Sequence, residues 1–138
     1  MAIEAPEPIG IVRRIPRWVP PLCWVGVVLG ASSIPDLQTR ALGIEIRDKL
    51  AHFGEYFIFG WLVARSLEGL GWSGAKHFGW TIFFGALLGA LDETYQGFVP
   101  GREQDVLDWL ADVTGATAGW YFSREDETVG SPRTPGDA

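Results

Sequence analysis

Four apolar runs, at about 18–34, 50–67, 77–99 and 106–122, constrain this chain more than anything else in it, because three of them contain carboxylates. Each run is close to the roughly 20 residues that an α-helix needs to cross a bilayer core. An acid inside such a run is costly unless it is paired or used. Asp92 and Glu93 close the third run, Pro100-Gly101 makes a turn, and Arg102 follows. Asp105, Asp108 and Asp112 then open the fourth run. The expected solution is a set of helices that turn these polar groups towards one another.

Whole-chain averages hide this pattern. A hydrophobic fraction of 47% and a mean hydropathy of +0.12 describe an only mildly apolar protein. Residues 1–16 and 123–138 lower the average, being rich in Pro, Glu and Asp, and they are expected to be disordered tails. Residues 17–122 then form one four-helix membrane domain. Trp18, Trp72, Trp80, Trp109 and Trp120 fall near segment ends, as in an interfacial aromatic belt. A soluble bundle with long buried helices is the rival, but 18–34 and 77–91 leave it few polar faces. The first run starts late and lacks a small-x-small cleavage pattern, so a cleaved signal peptide is not expected. Cys23 is the lone cysteine, which excludes a disulfide framework or a cysteine zinc site. It is expected to be a small buried hydrophobe. A net charge of −6 gives no support to nucleic-acid binding.

Pro20 and Pro21 suit a first helical turn, and Pro35 marks the end of the first segment. The connection 35–48 is amphipathic. A second helix is expected from near Asp48-Lys49 to Leu67, and Gly69, Gly71 and Gly74 make a turn. A third runs from about His77 to Phe98. Pro100-Gly101 is a turn signal, Asp105 is a helix N-cap, and the fourth helix fades after Phe122. The fold class expected is all-α: an integral membrane four-helix up-down bundle with short connections.

Lys and Arg placement gives the orientation. With both termini cytoplasmic, the inner side carries Arg13, Arg14, Arg17, Arg65, Lys76, Arg124 and Arg133. The outer side carries Arg40, Arg47, Lys49 and Arg102. The localisation expected is the cell membrane, crossed several times. At 1.5 Å per residue, Glu55, Asp92, Glu93 and Asp112 then lie about 5–11 Å below the outer interface.

Asp48, His52 and Glu55 share one helical face by their i, i+4, i+7 spacing, with Lys49, Tyr56 and Gly60 alongside. A histidine in an apolar segment is commonly a hydrogen-bonded core residue, but a glutamate one turn away makes His52 a site candidate. Gly85, Gly89, Asp92 or Glu93, and Gln96 line a face of the third helix. Asp108, Asp112, Gly115 and Gly119 line a face of the fourth. The glycines allow close helix approach, and the third and fourth helices are expected to pack through them. Facing carboxylates repel unless a cation or proton intervenes. Arg102, Lys49 and His52 are the cations at hand.

The pattern Asp48-Lys49-x-x-His52-x-x-x-Tyr56, then Asp92-Glu93-x-x-Gln96-x-Phe98-x-Pro100-Gly101-Arg102, then Asp105-x-x-Asp108 and Gly115-x-x-x-Gly119 resembles the VanZ-like family. The resemblance spans residues 48 to 119. It implies a small multi-helix membrane protein, in a family named for a member linked to glycopeptide and especially teicoplanin resistance. The family commonly has Asn where this chain has Asp112, which adds a carboxylate to the site. The resemblance supplies no settled biochemical activity.

Three functions follow as expectations. The first is recognition or modification of a lipid-linked or glycopeptide-related cell-envelope ligand at the outer leaflet. Lys49, Gln96, Arg102, Asp108 and Asp112 would bind the ligand, and Arg102 would hold a phosphate or carboxylate by a bidentate fork. His52 with Glu55 or Asp92 would form an acid–base pair, making His52, Glu55, Asp92 and Glu93 the catalytic candidates. Whether the chain is an enzyme stays open, since it has no nucleophile motif, no Gly-rich phosphate loop and no HExxH pattern. The second is a non-enzymatic membrane scaffold whose polar layer fixes helix register. The third is transport or proton relay. No cofactor motif is present. The acids leave room for a divalent cation, with His52, Asp92, Glu93 and Asp108 as candidate ligands. The partners expected are membrane lipids and a lipid-linked envelope precursor.

Overall fold

The computed structural model describes residues 15–35 and 42–130, with side-chain surroundings for 15–35 and 46–125. Among the described residues the chain is all-α, with four helices: α1 Val19–Ser32, α2 Leu42–Glu68, α3 Gly74–Gln96 and α4 Val106–Gly130. The expectations for residues 1–14, 36–41 and 131–138 lie outside this range. Pro20 and Pro21 sit in the first turn of α1, where the missing amide hydrogens cost nothing.

Two helices exceed their sequence-read bounds. The second begins at Leu42 rather than near Asp48, and the fourth continues past Phe122 to Gly130. Residues 42–47 mix apolar and charged side chains and 123–130 are mostly polar, so neither extension continues an apolar run. The turns form as expected. Gly71 takes φ +80° and closes α2 in a Schellman motif, with Trp72 N–H donating to Leu67 O at 3.2 Å and Gly71 N–H to Glu68 O at 2.8 Å. Val99 O accepts from Arg102 N–H at 3.1 Å, with Pro100 at the second position and Gly101 at φ +83°, a type II turn.

The helices alternate in direction, so α2 and α4 run parallel and α3 runs antiparallel to both. The α2–α4 pair is the most closely packed. A Cβ added at Gly115 would collide with Phe53 O, one at Gly119 with Phe57 O, and one at Gly60 with the Ala116 backbone. The α4 glycines therefore press against α2, not α3 as the face pattern suggested. The α3 glycines do face α4: Gly85 meets the Ala116 methyl and Gly89 meets Asp112 Oδ2. α1 packs on α2 and α3, with Trp18 and Trp24 against a core of Val28, Tyr56, Phe59, Val63, Leu67 and Leu88. Cys23 faces outward instead of into the core.

Among the described residues no helix is long and apolar enough to cross a membrane. α1 has 14 residues, α2 and α4 carry charges along their length, and α3 carries Lys76 near its start and Asp92 and Glu93 near its end.

Candidate functional site

Helix alternation brings the polar ends of α2, α3 and α4 to one end of the bundle. All nine sequence-read site residues, Lys49, His52, Glu55, Asp92, Glu93, Gln96, Arg102, Asp108 and Asp112, lie in or beside this layer. Burial is the notable property. Asp92 and Asp112 are 0% exposed, and His52, Glu93, Gln96 and Asp108 are also buried.

Lys49 anchors the outer rim. Its ammonium donates to Asp105 Oδ2 at 2.8 Å and to Asp108 Oδ1 at 2.9 Å, tying the start of α4 to α2. Partial burial pulls the ammonium pKa down, but the hydrogen bonds and charges of Asp105 and Asp108 outweigh it, so the net shift is upward. The Asp105 carboxyl is held below its ordinary value by the Lys49 hydrogen bond and then by the Leu107 amide. That amide bond, 2.8 Å from Leu107 N–H to Asp105 Oδ1, is the N-cap read from the sequence. Asp105 also donates its own amide to Glu93 Oε2 at 2.8 Å, which joins α3 to the cap of α4.

His52 pairs with Asp112 rather than with Glu55 or Asp92: Nδ1 lies 2.9 Å from Oδ1. Parallel packing across the glycine seam places Asp112 opposite His52, a juxtaposition that one-helix spacing does not encode. Gln96 donates to Asp92 Oδ2 at 3.1 Å and accepts from Arg102 Nη1 at 3.2 Å. The remaining Arg102 contacts are long: 3.4 Å to Ile34 O, 3.5 Å to Ala31 O and 3.9 Å to Asp48 Oδ1. Glu55 is half-buried beside the layer, and its backbone carbonyl accepts from Trp24 Nε1 of α1 at 2.8 Å.

Four side-chain oxygens in the layer are buried with no hydrogen-bond partner: Tyr56 OH, Asp92 Oδ1, Glu93 Oε1 and Asp112 Oδ2. Tyr56 belongs to the motif but was not among the site candidates, because an aromatic residue in an apolar helix reads as core. Its 0% exposure and its place among Asp112, Asp92, Glu55 and Glu93 mark it as part of the layer.

At the opposite end of the bundle, His77 accepts from Trp120 Nε1 at 3.3 Å through Nδ1 and donates from Nε2 to Ala64 O at 2.9 Å. Both ring nitrogens are engaged, so this histidine has a structural role.

The fold and site define a small all-α bundle with a buried, acid-rich polar layer at one end. The chain belongs to the VanZ/LLP1 family, whose model matches residues 8–124. No curated protein and no solved structure matches the chain.

Proposed function

We propose that the chain is a multi-pass cell-membrane protein whose polar layer faces the outer leaflet and binds, or acts on, a lipid-linked or glycopeptide-related cell-envelope ligand. One observation carries this reading: beside its apolar core the bundle buries a set of polar groups, while large apolar side chains stay on its surface. Buried positions hold His52, His77, Asp92, Glu93, Gln96, Asp108 and Asp112, while Leu22, Phe83, Leu87, Leu91, Leu107 and Tyr121 are exposed. Large exposed apolar surface marks an interaction partner, and apolar surface outside buried polar groups suits lipid. Hydropathy averaged along a helix cannot register this, because acids turned inwards count against a helix whose outer face is apolar.

Three further features favour a ligand with a lipid tail. An apolar groove of about 520 Å³ runs between α1, α2 and α3, lined by Trp18, Leu22, Val25, Phe59, Leu88 and Leu91 among others. Its lining includes Leu91, next in sequence to Asp92, so a chain whose head group sits at that end would lie near the polar layer. Arg102 is the cation with the weakest commitments, its contacts exceeding the 2.7–2.9 Å usual for charge-assisted hydrogen bonds. Redirecting its fork to a phosphate or carboxylate would therefore cost little.

Native mass spectrometry of the full chain in detergent, with a polyprenyl-linked envelope precursor added, tests the ligand. Arg102→Ala is expected to weaken binding, and equal binding by both proteins would refute the reading. Cys23, on the outer face of α1, tests the membrane separately. In sealed vesicles it is expected to resist a water-soluble maleimide, and rapid labelling there would refute embedding.

A scaffolding role has one specific observation in its favour. The rim ties the helices together: Lys49 joins α2 to α4, Glu93 joins α3 to α4, and Arg102 reaches the C-terminal carbonyls of α1. On that reading Asp92→Asn and Asp108→Asn lower folded yield and leave the surviving protein fully active.

A further inference from the structure

His52 of α2, Glu93 of α3 and Asp112 of α4 meet where the three helices converge. One ligand atom from each lies within 4.8 Å of the other two, and all three residues are buried. Acids near a histidine are common without consequence, and the unpartnered oxygens set this group apart. Asp112 Oδ2 and Glu93 Oε1 are both buried and accept no hydrogen bond. A buried carboxylate oxygen with nothing to accept carries an uncompensated desolvation cost.

Charge runs the same way. The layer gathers Asp48, Glu55, Asp92, Glu93, Asp105, Asp108 and Asp112 against Lys49, Arg102 and His52. Lys49 is taken by Asp105 and Asp108, and Arg102 by Gln96, Asp48 and the α1 carbonyls. Among the described residues, neither donates a hydrogen bond to Glu93 or Asp112.

We propose that His52, Glu93 and Asp112 form a binding site for one divalent transition-metal ion of the Zn²⁺ or Mn²⁺ kind. One imidazole nitrogen and two carboxylates suit these ions, whereas Ca²⁺ and Mg²⁺ favour all-oxygen sets. Tetrahedral donors about 2.1 Å from an ion lie about 3.4 Å apart, and the three ligand atoms here already lie within 4.8 Å of one another, so small side-chain rotations would close the set. Glu93 is already oriented by the Asp105 amide at Oε2, which leaves Oε1 for the ion. This is the outer support that metal-ligating carboxylates generally have. The neighbouring group of Asp48, His52 and Asp108 is a poorer site, because Lys49 holds Asp108 Oδ1 and neither acid has a buried oxygen without a partner.

The test uses the full chain in detergent micelles, stripped with EDTA and titrated with Zn²⁺ and with Mn²⁺ by calorimetry. No lipid ligand is added, so the outcome is separate from that of the envelope-ligand reading. One ion per chain is expected for at least one of the two metals. Glu93→Gln and Asp112→Asn should each weaken binding by about 10-fold or more, on the scale seen when metal-site residues are altered. Asp48→Asn should leave it nearly unchanged. No saturable binding of either metal would overturn the proposal, as would equal weakening by Asp48→Asn. If the variants lose their helical circular dichroism, the wild-type chain loaded with Co²⁺ decides. Visible ligand-field bands are expected, and an unperturbed aqueous Co²⁺ spectrum refutes the site.

Discussion

Gly119→Ala is the sharpest probe of how the bundle is assembled. Its added Cβ would collide with Phe57 O and come to 2.7 Å from Trp61 N and 3.0 Å from Phe57 C. These are backbone atoms of a helix and cannot swing aside. Ordinary van der Waals contact begins near 3.4 Å, so even the Trp61 contact falls 0.7 Å short. α4 must move off α2 by about that distance or more. Overpacking of this kind costs about 1–3 kcal/mol, and the displaced seam also carries His52 and Asp112. Against this, Gly→Ala inside a helix gains up to about 1 kcal/mol of intrinsic propensity. Gly26→Ala on α1 isolates that gain, since nothing lies within 4 Å of its added Cβ. Thermal unfolding of the purified variants should therefore rank Gly26→Ala at or above wild type and Gly119→Ala below both. Gly85→Ala should fall between them, because its Cβ meets only the Ala116 methyl, a side-chain atom. A Gly119→Ala protein as stable as wild type would refute the α2–α4 seam. If Gly85→Ala were the most damaging, the α3–α4 interface would be the tight one.

Asp112→Ala leaves buried His52 without its partner and is expected to cost about 3–5 kcal/mol, read by chemical denaturation. Asp112→Asn keeps an acceptor for the imidazole and should cost clearly less. Lys49 and Asp105 set a pH dependence at the rim. The Asp105 carboxyl is depressed in the fold, so its contribution is full above the ordinary carboxylate pKa and is lost as pH falls through the lower folded value. The Lys49 ammonium is raised, so its contribution is full below the ordinary lysine value and is lost only in strong alkali. Melting curves for Lys49→Met should accordingly lie below wild type at neutral pH and converge with it in acid. His77→Ala strands Ala64 O and the Trp120 indole N–H, with an expected cost of about 1–3 kcal/mol. Because His77 lies at the far end, binding of ligand or metal by the folded fraction should not change.

Hydrophobic patterning and turn chemistry determined much of this protein. The four helices follow from four apolar runs separated by prolines and glycines. Local chemistry fixed the type II turn at Pro100-Gly101 and the Asp105 cap, since both depend on residues within a few positions of each other. Alternation of short-linked helices was enough to gather Lys49, His52, Asp92, Glu93, Gln96, Arg102, Asp108 and Asp112 at one end. The extra turns of α2 and α4 escaped notice because neither continues an apolar run.

Pairing was decided only by the tertiary structure. Spacing places Gly115 and Gly119 on one face of α4 but does not say which helix that face meets. The near contact of two backbones is a property of the pair, and it selected α2. That choice set Asp112 against His52 and left Lys49 to Asp105 and Asp108. It also left one oxygen each of Asp92, Glu93 and Asp112 buried without a donor. A carboxylate's identity is local, whereas its solvation depends on every helix packed around it.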